Sequence, residues 1–176
     1  STVIIDSCNI EQNTSSGNGG GLEFQNSNKV SITNSVIRSN ESTDQSGGGI
    51  HHLGSDTLMI EKVIFSDNTA YTNGGTLSFN NAWVNIFNSL FYDNDASSGG
   101  AIMAGGGTMN MINCTVTQNT AQYTGGVRSG SGKTYFMNTI LWGNTSTDNS
   151  SNDNYYSQYN RYFANNIISE DYGGDN

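Results

Sequence analysis

Along the chain, short segments of alternating apolar and polar residues recur with a period of about 26. Asparagine closes a similar hexapeptide at Asn13, Asn40, Asn68, Asn94, Asn119 and Asn144, at spacings of 27, 28, 26, 25 and 25. Eight places before it stand Ile5, Ile32, Ile60, Ile86, Met111 and Phe136; three places before it stand Ile10, Ile37, Phe65, Phe91, Val116 and Leu141. Position −10 holds Val3, Val30, Leu58, Val84, Met109 and Thr134. Positions −10 and −8 share one parity, and −5 and −3 share the other. A strand repeats every two residues, so the change of parity near −6 predicts a corner between two short strands. Asn34, Asn88, Asn113 and Asn138 occupy that corner, where asparagine tolerates the left-handed backbone region and satisfies nearby backbone groups.

A second marker keeps the same period out of phase. Gly-Gly pairs begin at Gly19, Gly47, Gly74, Gly99 and Gly125, and each precedes a further alternating segment: Leu22 and Phe24, Ile50 and His52, Leu77 and Phe79, Ile102 and Ala104. Three short strands per repeat, each with one apolar face, cannot bury that face alone; stacking the repeats does. The expected fold is therefore all-β, a parallel β-helix of about six to seven coils. Each coil has roughly 26 residues and three short strands, and the stack is about 30 Å tall. A partial seventh coil is visible at Phe163, Asn165, Asn166, Ile168 and Asp171. Residues 1–176 read as a single β-helix segment with no cap at either end, part of a longer solenoid or a subunit that stacks on its neighbours. The stretch 145–161 lacks the Gly-Gly marker and reads as a lateral polar Tyr-rich loop.

Composition changes this picture less than it first threatens to. Asn, Ser, Thr and Gly make up half the chain, and only 12% is charged; without the repeat that mixture would read as disordered. Each coil, however, uses all of its few apolar residues. The absence of proline fits a fold in which every N–H is needed for a ladder. A net charge of −9 argues against nucleic acid as a partner, and no apolar run has the length of a membrane span.

The repeats FSDN at 65–68, FYDN at 91–94 and GGAI at 99–102 resemble those of the polymorphic outer-membrane protein family. With the degenerate copies IEQN, IRSN, VTQN and LWGN, and GGGL, GGGI, GGTL and GGVR, the resemblance spans roughly residues 3 to 144. Proteins of that family are autotransporter-like surface adhesins, and their passenger is a right-handed β-helix of the pectin-lyase-like superfamily. The resemblance thus implies right-handedness, an extracellular or cell-surface location and adhesion. The translocator barrel of such proteins is not found in this sequence.

The chemistry-bearing residues are sparse. Cys8 and Cys114 both fall five places before the closing Asn. They are four coils, or about 19 Å, apart, too far for a disulfide, and are expected as two buried small side chains. His51 is expected outward and His52 inward, without the partners a metal site needs. Asp67 and Asp93 share a register position in adjacent coils, with Asp95 close by. Stacked carboxylates suggest a weak Ca²⁺ candidate or an acid pair, yet aspartate is also a good turn residue. No catalytic residue is assigned and no cofactor is expected beyond that calcium candidate.

The outward positions carry more information. Parity places Phe87, Ile112 and Met137 outside at −7, and Leu90 and Ile140 outside at −4, with Tyr92 and Trp142 at −2. Exposed apolar stripes mark interaction surfaces unless loops cover them. The closing and corner asparagines, Asn34, Asn40, Asn68, Asn88, Asn94, Asn113, Asn119, Asn138 and Asn144, are expected to be structural. The function expected is that of a non-enzymatic extracellular or cell-surface adhesin or structural fibre element, with self-association or a cell-surface receptor or glycan as partner. Two alternatives stand beside it: a carbohydrate-active enzyme of polysaccharide lyase or hydrolase type, and a subunit of a self-assembling extracellular filament or sheath.

Overall fold

A computed structural model describes residues 1–27, 29–148, 152–159 and 161–168; Asp171, assigned above to the seventh coil, lies outside them. Every regular element in it is a β-strand, and the strands join into four parallel sheets that run the length of a solenoid. The fourth coil shows the path. Ala82–Phe87 lies in the first sheet, Leu90–Tyr92 in the second, Asp95–Ser98 in the third and Ile102–Ala104 in the fourth. Six coils are complete, and a seventh begins with Arg161–Ala164 and Ile167–Ile168.

The core follows from register. Val30, Leu58, Val84, Met109 and Thr134 stack in one column of the first sheet, and Ile32, Ile60, Ile86, Met111 and Phe136 in another. From the second coil onward both columns are buried, as are Ile37, Phe65, Phe91, Val116 and Leu141 of the second sheet. Each such apolar side chain contributes about 1.5–3 kcal/mol by burial. The rings of Phe65 and Phe91 stack at a centroid distance of 4.6 Å. One core column therefore holds equivalent side chains in van der Waals contact, coil on coil.

Two corners bracket the second sheet, and both use the left-handed region. At the −6 corner Ser7, Asn34, Lys62, Asn88, Asn113, Asn138 and Asn165 all have φ between 49° and 56°. At −1 the same conformation is taken by Gln12, Ser39, Asp67, Asp93 and Gln118, and by Gly143. Asp67 and Asp93 thus stand at turn positions.

The coil has four strands where three were expected. The additional strand follows the closing Asn: Thr14–Ser15, Glu41–Ser42, Thr69–Asn73, Asp95–Ser98, Thr120–Tyr123 and Thr145–Ser146 pair in parallel to form the third sheet. Its inward side chains are small, Ser42, Ala70, Ala96 and Ala121, because what faces them is glycine backbone. A Cβ on Gly48 would come within 2.3 Å of the Thr69 carbonyl oxygen, and one on Gly100 within 2.3 Å of that of Thr120. Two backbone segments are pressed together there, so no apolar alternation announces the strand.

Two further expectations are corrected. The Gly125 pair is not in register with Gly99 but one place later: Gly99 donates to the carbonyl of Tyr123, and Gly100 to that of Thr124. Thr124 therefore takes the left-handed position held elsewhere by Gly19, Gly47, Gly74 and Gly99, with φ 62°. The stretch 145–161 is not purely a lateral loop. Thr145–Ser146 joins the third sheet and Tyr155–Ser157 the fourth. Here Asp153 and Asn154 supply the carbonyls that accept from Gly126 and Val127, so the ladder continues without the glycine marker.

Candidate functional site

The closing asparagines form a buried ladder parallel to the solenoid axis. Asn68 donates from both its backbone N–H and its Nδ2 to Oδ1 of Asn94, each at 3.0 Å. Asn94 does the same to Asn119, and Asn119 to Asn144. Each Nδ2 also reaches a strand carbonyl of the coil before, as Asn68 does to Ile37 at 2.9 Å. Asn40, Asn68, Asn94, Asn119 and Asn144 are all buried, and Asn154 accepts from Asn144 to extend the ladder by one rung. These side chains hold the corner and face no solvent.

The corner asparagines differ. Asn34, Asn88, Asn113 and Asn138 are exposed, and Asn138 and Asn113 each donate to the corner Asn one coil earlier at 3.2 Å. They form a polar seam between an apolar column on the first sheet and second-sheet columns whose apolar residues are interrupted by Thr115 and Thr117. On one side Phe87, Ile112 and Met137 are in register on the first sheet. On the other, Leu90, Thr115 and Ile140 are in register on the second sheet, beside the column Tyr92, Thr117 and Trp142. Phe87, Ile112, Leu90 and Tyr92 are half-buried. Met137 is 46% exposed, Ile140 37% and Trp142 56%. Within 145–161, Thr145–Ser146 joins the third sheet and Tyr155–Ser157 the fourth, while Arg161 opens the next strand of the first sheet, in register with the inward Thr134 and not with Met137.

The acidic candidates are not brought together with further ligands. Asp67 and Asp93 are exposed at their turns, Asp95 points outward from the third sheet, and burial pushes the Asp95 carboxyl up from its ordinary value. Among the described residues no group of three or more His, Cys, Asp or Glu side chains is placed to hold a metal ion. Arg38 is paired with Glu11 at 2.6 Å, and the Glu11 carboxylate raises its pKa.

Both histidines have local partners. His52 is fully buried between the Phe24 and Phe79 positions of its column, and its Nε2 lies 2.6 Å from Asp56 Oδ1. His51 lies outward, 3.5 Å from Glu23, with its pKa lowered chiefly by burial. The His52–Asp56 pair ties the turn between fourth and first sheets to the core. Sequence reasoning missed it, although the four-residue separation across a turn was its available signal. The cysteines divide: Cys114 is buried and its thiol is pushed up to about 11 by burial, whereas Cys8 is exposed. Cys8 stands in the first coil, with a neighbouring coil on one side only in the structure, so its expected burial is not found.

The outer faces also present residues that the parity argument did not reach. Trp83, one position beyond the columns considered, is 59% exposed on the first sheet. Tyr71 stands out from the third sheet, which had not been foreseen at all. Arg128 on the fourth sheet lies over the rings of Tyr156 and Tyr123 at 4.9 and 5.6 Å, a pair of cation–π contacts.

In the comparisons with known proteins, a family model described as the right handed beta helix region matches residues 1–141. No curated protein and no solved structure matches the chain. The ladders, the four parallel sheets and this match agree: the chain belongs to the right-handed beta helix family.

Proposed function

We propose that this β-helix is a non-enzymatic scaffold of an extracellular or cell-surface protein, of adhesin type, which works through its lateral face. The observation that carries the reading is the apolar stripe on the outer faces of the first and second sheets, with Met137, Ile140 and Trp142 at its most exposed end. Solvent-exposed apolar and aromatic side chains held in register on a rigid ladder make a preorganised contact surface, and little ordering entropy is lost when a partner docks. The resemblance of the FSDN, FYDN and GGAI repeats to those of polymorphic outer-membrane proteins supports the cell-surface location. Two of the six basic side chains already have partners that an active site would have to displace: Arg38 is held by Glu11, and Arg128 lies over the Tyr156 and Tyr123 rings.

The test replaces Met137, Ile140 and Trp142 together by serine. Adhesion of cells to surfaces coated with the protein is expected to fall at least tenfold, at unchanged thermal stability, because these side chains contribute little to the core. Adhesion equal to that of the parent protein would refute the stripe as the contact surface. Concentration-dependent elongation that the same variant abolishes would instead assign the stripe to self-assembly, the filament reading.

A further inference from the structure

The outer face of the first sheet changes character along the solenoid. In the second and third coils it carries Lys29 and Glu61. From the fourth coil onward, among the described residues, Lys133 is the one charge in its outward columns, and Trp83, Phe87, Ile112 and Met137 make the face apolar. Trp83 is 59% exposed. Lys133, two coils along the same column, is exposed and has no carboxylate partner among the described residues. Beyond Ile112 a groove of about 250 Å³ opens between Met137 and the rings of Tyr135 and Tyr162, which stack at a centroid distance of 4.6 Å. Aromatic rings in the fourth coil and their complements, a cation and a groove, in the sixth thus stand on one face.

We propose that this face pairs with the same face of a second copy, about a two-fold axis that runs along the strand of the fifth coil. Across such an axis each outward column meets its own column reversed, so the fourth coil of one copy lies against the sixth of the other. Trp83 then faces Lys133 of the other copy, a cation–π pair formed twice. Phe87 faces Met137 and enters the groove, a sulfur–aromatic contact also formed twice. Ile112 meets its own counterpart on the axis. The charges select this register. An axis on the fourth coil would set Lys29 against Lys133 and Glu61 against Ile112, and one half a coil later would set Glu61 against Met137. Each of those opposes like charges or buries an unpaired one. An axis a further coil on would turn Lys133 from Trp83 to Thr108. Centred on the fifth coil, Glu61 falls opposite Ala164, at the rim of the pairing. Leu90, Ile140 and Trp142 of the second sheet stay outside. The pairing therefore rests on the reading of the stripe as a contact surface and names the occupant of its first-sheet half.

The experiment is sedimentation velocity of the chain from micromolar to half-millimolar concentration. A single monomer–dimer equilibrium is expected, with no larger species. Ile112→Asp, which brings two carboxylates together on the axis, should weaken it about a hundredfold, and Trp83→Lys, which opposes two like charges twice, about tenfold. Adding Lys133→Glu to Trp83→Lys should restore the dimer to within about threefold of the parent. That rescue is specific to this register and shows that the Trp83→Lys chain is folded. Trp142→Ser, on the second sheet, should leave the dimer unchanged. The readout contains no cells, so loss of the dimer and loss of adhesion are scored separately. The proposal is overturned if the chain stays monomeric throughout, if it elongates without limit, or if Ile112→Asp pairs as the parent does. Failure of Lys133→Glu to rescue Trp83→Lys, or weakening by Trp142→Ser as great as that by Trp83→Lys, would overturn it equally.

Discussion

Most coils turn twice on asparagine, on either side of the second sheet, and the two corners use the residue for unrelated reasons. At the closing corner the side chain is buried, accepts two hydrogen bonds at Oδ1 and donates from Nδ2 along and across the ladder. At the −6 corner the side chain is exposed, and what matters is the backbone, at φ near 50°. The first role needs a donor and an acceptor on one short side chain. Aspartate lacks the donor and glutamine is too long. The second needs only tolerance of the left-handed region, which is why Ser7 and Lys62 serve there as well. The six closing positions, by contrast, are all asparagine.

The comparison breaks most clearly at Asn94. Asn94→Ala would leave the Asn68 N–H without its acceptor, take one of the two bonds of the Asn68 amide, and remove the donor to the Phe65 carbonyl and to Asn119 Oδ1, all within the core. The expected loss is ~3–5 kcal/mol, since several buried groups are left unpaired at once, and urea denaturation would show it as a lowered midpoint. Asn94→Asp sharpens the point. Burial and the loss of donors raise the folded-state pKa of the new carboxyl above its unfolded value near 4. The folded state then binds the proton more tightly, so this variant should lose stability as pH rises from about 4 to 7, where ordinary acidic groups stabilise. A variant as stable as the parent at neutral pH would mean that the ladder's donors contribute nothing.

A middle-sized effect is expected where a corner carries the wrong residue. Thr124 occupies the left-handed position that glycine holds in the four preceding coils. It is β-branched, fully buried, and its hydroxyl oxygen has no hydrogen-bond partner. Left-handed backbone is a strong outlier for such a residue. Thr124→Gly removes the strain and the orphaned hydroxyl, at the loss of one buried methyl. The net gain should be about 1 kcal/mol, read as a thermal midpoint raised by a few degrees. A fall in the midpoint would show that the methyl's packing outweighs the strain.

How far these features were legible in the sequence follows from the same physics. The first, second and fourth sheets announce themselves because Ile32, Phe65 and Leu77 and their register mates must reach the core, and alternation records that need. The third sheet was invisible because Ala70, Ala96 and Ala121 meet glycine backbone, and close backbone contact leaves no hydrophobic period. The positions of both asparagine columns could be read, but not which was buried, since a side chain's hydrogen-bond partners sit one coil away and some 25 residues along the chain. For the outer stripe, parity placed Met137 and Ile140 outward directly. The exposed Tyr71 stands on the sheet that parity missed, and could not be placed before that sheet was seen.

The smallest effect tests the exposed corner itself. Asn88→Ala keeps the left-handed backbone but removes the residue type that tolerates it, and also removes an acceptor for Asn113 at 3.2 Å on the surface. The expected loss is about 0.5–1 kcal/mol, most of it conformational. Asn88→Gly should be close to neutral, because glycine regains the backbone freedom while the lost surface hydrogen bond is replaced by water. Lys62→Asn, at the one corner of the inner coils that lacks asparagine, should gain a few tenths of a kcal/mol by the same argument. Equal losses for Asn88→Ala and Asn88→Gly would show that the surface amide contact, not the backbone, fixes this corner. In that case the two asparagine columns would differ in degree and no longer in kind.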